Sequence, residues 1–244
     1  MLIIEIFGEK IMQKKYFYVA NWKSYLPYRQ AIDWCTSNAP ALKTLNNDGH
    51  VIVCPDFLAV AEIQKIVAPV VVGAQSCSVN ALGAFTGEIS AQSLKEAGAA
   101  YCIIGHSERR KLFGETSEVV AQKMALLFEQ DITPIICISD EWEVELLPVL
   151  KKIEKNHILI AYEPLSAIGT GTIPPIENIE KTVTSIKEKI TTSAPNAQVK
   201  MLYGGSVNAQ NSAELKQIPG IDGFLIGKAS TIFEEFRNIV LIKA

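Results

Sequence analysis

Hydrophobic residues along this chain cluster in short unbroken runs instead of alternating with polar ones. From Tyr16 onward eight such runs recur: Tyr16–Ala20, Val51–Cys54, Val70–Ala74, Tyr101–Ile104, Ile132–Ile138, His157–Tyr162, Gln198–Tyr203 and Gly223–Ile226. Short, β-branched apolar runs predict strands buried on both faces, as in a parallel sheet. Between them, apolar residues spaced three and four apart predict helices, clearest at Ser117–Gln130, Glu141–Lys155 and Ile176–Ile190. Thr116, Asp140-Glu141 and Pro174-Pro175 provide their start signals. Alternating strands and helices mean an α/β fold. Eight units in the 229 residues from Tyr16 to Ala244 come to about 29 residues each, the arithmetic of a closed (β/α)8 barrel.

No linker, composition shift or glycine-rich fingerprint divides the chain, so one catalytic domain is expected over residues 12–244. Residues 1–11 read as an N-terminal extension. They are apolar, interrupted by Glu5 and Glu9, and lack the basic start and small-residue cleavage site of a signal peptide.

Composition narrows the function classes. Of 244 residues, 48% are hydrophobic and 20% charged, ample for a packed core and unlike a disordered chain. No apolar run approaches the roughly 18 residues of a membrane span. A net charge of −3 without a basic block argues against a nucleic-acid partner. A soluble globular protein is therefore expected. The five cysteines (Cys35, Cys54, Cys77, Cys102 and Cys137) form no CxxC or Cys/His cluster, which predicts a reducing, cytoplasmic setting and no metal site. Those within strand runs read as small buried hydrophobes.

In such a barrel, catalytic residues sit at the C-terminal strand ends. Asn21-Trp22-Lys23 follow the first predicted strand and Gly105-His106-Ser107-Glu108-Arg109-Arg110 the fourth. Glu163 follows the sixth, Gly204-Gly205-Ser206 the seventh, and Gly227-Lys228 the eighth. Singly, each has a plain reading: Lys23 as a surface lysine, Glu108-Arg109-Arg110 as a salt-bridge network, the glycines as tight turns. Jointly they put a cation, an imidazole, a carboxylate and backbone donors on one rim, suited to proton abstraction beside a carbonyl of an anionic substrate. The other histidines, His50 and His157, fall before strands, at the opposite end.

The strings VANWK, GAFTGEIS, YCIIGHSERR, AYEPLSAIGTG, YGGSV and DGFLIGKAS closely resemble triosephosphate isomerase, in the family's order and spacing, over essentially the whole chain from Tyr16. The resemblance implies a single-domain TIM barrel, and cofactor-free interconversion of dihydroxyacetone phosphate and D-glyceraldehyde 3-phosphate in glycolysis and gluconeogenesis. By that resemblance Glu163 is the base, His106 a neutral electrophile, Lys23 a fixed cation, Asn21 a donor, and Glu108 the residue that orients the lysine. Gly169 falls in a mobile lid, and Ser206, Gly227 and Lys228 match main-chain phosphate contacts. The stretch Gln75–Glu88 corresponds to a loop that enters a second subunit, with Thr86 near the neighbour's active site, so a homodimer is implied.

Three positions depart from the family pattern. Ser166 stands where the lid hinge usually carries Trp, which predicts a lid biased toward its open state. Lys228 replaces the second glycine after the eighth strand; its N–H still suits phosphate if its φ is negative. Ser139-Asp140 replaces the commoner Gly-Glu after Cys137, outside the expected chemical core. Two other readings compete: a different sugar-phosphate barrel isomerase or synthase, and a non-catalytic barrel that binds sugar phosphate or a partner protein. The intact Glu163, His106 and Lys23 set speaks against both.

Overall fold

A computed structural model describes residues 14–153, 157–167 and 169–242. The expected extension, residues 1–11, lies outside them. Eight strands run β1 (Tyr16–Asn21), β2 (Gly49–Cys54), β3 (Val71–Ala74), β4 (Tyr101–Ile104), β5 (Thr133–Ile138), β6 (His157–Tyr162), β7 (Gln198–Tyr203) and β8 (Gly223–Ile226). All pair in parallel and close into a barrel in sequence order, with Phe17 of β1 opposite Gly223 of β8 at the seam. A Cβ at Gly223 would collide with the Phe17 carbonyl, so glycine permits the two strands to meet. The expected (β/α)8 barrel is the fold observed.

Its helices are α1 (Tyr28–Asp48), α2 (Val60–Val67), α3 (Ala91–Glu96), α4 (Ser107–Phe113), α5 (Ser117–Glu129), α6 (Trp142–Leu150), α7 (Ile176–Ser193), α8 (Ser212–Lys216) and α9 (Phe233–Leu241). The start signals act locally. The Thr116 side chain accepts from the Val119 N–H at the head of α5, satisfying one of the orphan donors of the first turn. Pro175 is the N-cap of α7 and Glu141 that of α6, though neither makes a side-chain cap bond. Helix α6 ends at Leu150, short of the expected Lys155; residues 154 and 155 lie outside the described chain.

Continuous apolar strands are needed because the sheet has two cores. Inside the barrel Val19, Ile52, Ile103, Ile135, Leu159, Leu202 and Leu225 pack in one buried cluster. Register puts them at similar heights: Val19 opposite Ile52 and Leu225, and Ile135 opposite Ile103 and Leu159. The intervening residues face outward into a larger core shared with the helices. The barrel floor is therefore filled, and the space left open is at the C-terminal rim. His50 and His157 lie within the first two residues of β2 and β6, at the other end, rather than before the strands.

Candidate active site

Strand β1 delivers Asn21 and, two residues on, Lys23. Lys23 has φ 49, a left-handed conformation that costs a side-chain-bearing residue on the order of 1 kcal/mol. Two side chains hold it there. The Asn21 Oδ1 accepts the Lys23 N–H at 3.2 Å, and the Gln75 Nε2 donates to the Lys23 carbonyl at 2.8 Å and to the Cys54 carbonyl at 3.0 Å. The Lys23 ammonium, aimed along the rim, donates to Glu108 Oε1 at 2.6 Å.

His106 caps α4: its Nδ1 accepts the Glu108 N–H at 3.2 Å. That bond places the ring proton on Nε2, which lies 3.1 Å from Glu163 Oε1. The second carboxylate oxygen of Glu163 accepts the Ser107 N–H at 3.2 Å. Both side chains are deeply buried, His106 at 5% and Glu163 at 3% exposure. Burial disfavours charge on each, but their mutual attraction outweighs it. The imidazole is drawn above its ordinary pKa and the carboxylate below the usual carboxylate range, with the Ser107 N–H and Lys23 adding to the latter. Gly204 makes the pair possible, because a Cβ there would lie 2.8 Å from the Glu163 Cγ.

These groups face a cavity of about 430 Å³ whose walls include Asn21, Lys23, His106, Glu163, Gly169, Ser206, Gly227 and Lys228. Glu108 stands behind the lysine and lines a neighbouring cleft instead. Gly227 sits beside Lys23, and Lys228 opens a 3₁₀ turn, Lys228–Thr231, with negative φ. The condition for a phosphate contact from its N–H is thus met. The Ser206 hydroxyl donates to the Ala167 carbonyl at 2.6 Å and accepts the Gly171 N–H at 3.1 Å, stitching the expected lid segment to the strand-seven loop. Two lysines and several main-chain donors around an acid–base pair suit a small anionic carbonyl compound.

Arg109 and Arg110 do follow the salt-bridge reading. Arg109 pairs with buried Glu115 at 2.8 Å, and the Arg110 Nε lies 3.4 Å from Glu145 Oε1 while donating to the Gly105 carbonyl at 2.8 Å. Sequence reasoning missed Tyr25 and Asn208, which also line the cavity, and Gln75 as the brace behind Lys23. Asp140, expected outside the chemical core, does not line the cavity, but it bonds to residues on either side of the base. The Asp140 carboxylate accepts from the Tyr162 hydroxyl at 2.8 Å and the Leu165 N–H at 3.1 Å, one residue before and two after Glu163.

Fold and rim together define a (β/α)8 barrel with a buried acid–base pair at its C-terminal rim. Comparison with known proteins narrows that class: the chain belongs to the triosephosphate isomerase family, whose model, described as "Triosephosphate isomerase", matches residues 16–243. Among curated relatives of that name, the Shewanella denitrificans protein is 37% identical over 228 residues, covering 83% of this chain and 88% of the relative. The Picosynechococcus protein is 34% identical over 93% of this chain and 98% of its own. The Synechococcus relative is 37% identical over 92% and 95%.

Proposed function

We propose that the rim interconverts dihydroxyacetone phosphate and D-glyceraldehyde 3-phosphate through an enediol, without a cofactor. Glu163 takes the proton from the carbon beside the carbonyl and returns it to the neighbouring carbon. His106, with its proton on Nε2, donates to the carbonyl oxygen and relays protons between the two oxygens. Substrate entering between the two side chains separates them, which releases the ring from the carboxylate that raises its pKa and leaves the neutral tautomer selected at Nδ1. Lys23, held by Glu108, supplies positive charge where negative charge develops, and Asn21 a donor. The phosphate rests on main-chain N–H groups near Gly169, Ser206, Gly227 and Lys228, while the closed lid keeps water from the enediol.

The observation that carries this reading is the buried His106–Glu163 pair, 3.1 Å apart beside a lysine in one anion-sized cavity. The test is a coupled assay of glyceraldehyde 3-phosphate isomerisation by the purified protein, with chelator present and no additive. Turnover supports the reading; its absence, with the fold intact, refutes it and favours a sugar-phosphate-binding barrel.

The working unit is a homodimer. In the loop Gln75–Glu88, Leu82 is 62% and Phe85 44% exposed in a single chain. Next to Lys23 lies a cleft walled by Tyr25, Phe57, Leu112 and Phe113, all with exposed apolar surface of the kind that marks a protein contact. A partner's loop would cover it. A cytoplasmic location agrees with five cysteines that are all buried and unpaired. No described helix is long and apolar enough to cross a membrane. Residues 12–244 form the catalytic domain in this reading, with residues 1–11 as an extension.

A further inference from the structure

The turn after β5 is built more firmly than an exposed loop requires. Buried Glu145, on α6, accepts the Ser139 N–H at 2.6 Å and the Ser139 hydroxyl at 3.1 Å. The same hydroxyl accepts the Glu141 N–H at 3.2 Å. Asp140 is thereby fixed between two braced neighbours, and its carboxylate points across the rim to β6. One oxygen accepts a hydrogen bond from the hydroxyl of buried Tyr162 and the other from the Leu165 N–H. Burial, with the bond to Asp140, pushes the Tyr162 phenol up, so it stays a donor across the working pH range.

Glu163 and Pro164 are the residues enclosed by this bridge. Among the described residues the backbone of Glu163 is otherwise held by one bond, its N–H to the Ile138 carbonyl at 2.8 Å, and the Tyr162 carbonyl accepts the Gly204 N–H at 2.8 Å. Both fix the strand side. Asp140 holds the far side of Glu163 at Leu165, where the 3₁₀ turn Leu165–Ala167 begins, while Ser206 holds the end of that turn at the Ala167 carbonyl; the exposed Ser166 side chain makes no hydrogen bond among the described residues. We propose that Asp140 is a positioning residue for the catalytic base: it ties the residue before Glu163 to the residue after Pro164 and so sets where the carboxylate sits relative to the substrate carbon. This rests on the assignment of Glu163 as base. It makes the carboxylate after β5 a working part of the site in a chain whose hinge lacks the family's indole.

The experiment compares Asp140→Ala, Asp140→Asn and Tyr162→Phe with the unsubstituted protein. It measures kcat, KM, the unfolding midpoint and hydrogen exchange of the Leu165 amide. A base displaced by about 1 Å can lose ~10²-fold in rate, so Asp140→Ala is expected to lower kcat by about 10- to 100-fold with KM almost unchanged. Its Leu165 amide should exchange about tenfold faster or more, as loss of a charge-assisted bond requires, at an unchanged unfolding midpoint. Asp140→Asn, which keeps one acceptor in place, should recover part of the rate. Tyr162→Phe should add little to Asp140→Ala, since the two remove one bridge. Unchanged Leu165 exchange in Asp140→Ala would overturn the tie whatever the activity. Faster exchange with full kcat would overturn its positioning role, as would a fall in kcat that tracks the unfolding midpoint and is not recovered by Asp140→Asn. Failure of the unsubstituted protein to isomerise would refute the functional reading instead, and the amide exchange separates that case from this one.

Discussion

Two residues on the rim illustrate how burial is turned to use. Glu163 is almost fully enclosed yet drawn toward ionisation by His106, Ser107 N–H and Lys23. Shortening it by one methylene in Glu163→Asp withdraws the base by about 1 Å, so kcat should fall ~10²-fold while KM changes little; steady-state kinetics check this. Glu115 is the structural counterpart. Its oxygens accept the Gly105 N–H at 2.7 Å, the Lys123 ammonium at 2.7 Å and the Arg109 guanidinium at 2.8 Å. Burial alone would raise its pKa, but Lys123, Arg109 and the Gly105 amide outweigh that and lower it. A carboxylate with a folded-state pKa below its unfolded value stabilises the fold above about pH 4.3, and that contribution is lost as pH falls through the folded value. Glu115→Gln should thus destabilise the protein at pH 7, by roughly 3–5 kcal/mol since Lys123 is left buried and unpaired. The deficit should shrink as pH drops below about 4, as denaturant titrations at several pH values would read.

At the level of elements, the lid and the strands tell different stories about legibility. All eight strands were evident from their apolar runs, since each must feed two cores at once. The start of β2 was not: Gly49 and His50 pair with Tyr16 and Phe17 but carry no apolar signal. Helix α7 extends past the expected Ile190 to Ser193 because polar residues can finish a turn whose buried face is already complete. The rim residues were readable because strand ends place them. Asp140 was not, since its partners Tyr162 and Leu165 lie 22 and 25 residues away and meet it only through the β5–β6 pairing. The segment proposed as the lid is held by polar stitches at Ser206 and by Asp140, with exposed Ser166 where an indole would add apolar contact. Two substitutions should move it in opposite senses. Ser206→Ala removes both stitches and should raise the share of intermediate lost as methylglyoxal and phosphate. Ser166→Trp, which offers up to roughly 1.5–3 kcal/mol of apolar burial, should lower that share and tighten binding of a transition-state analogue. Equal leakage in all three proteins would refute a lid governed by these contacts.

For the whole molecule, the apolar loop tip and the cleft beside Lys23 make a testable pair. Sedimentation at micromolar concentration should give twice the monomer mass. Phe85→Asp, which puts a charge on the exposed tip without touching the barrel, should yield monomers with markedly lower kcat. A fully active monomer would refute the dimer reading. The seam between β1 and β8 has a consequence for the protein's birth. Among the eight strands β1 is made first, but its second neighbour, β8, is made last. At roughly 5–20 residues per second, about 10–40 s pass during which one edge of β1 has no partner and can template pairing with a foreign strand. No nascent fragment short of β8 carries Gly227 and Lys228 either, so the barrel and its site are closed by the same few residues. Cells making many copies of this chain at once should therefore need a holding chaperone until that strand arrives.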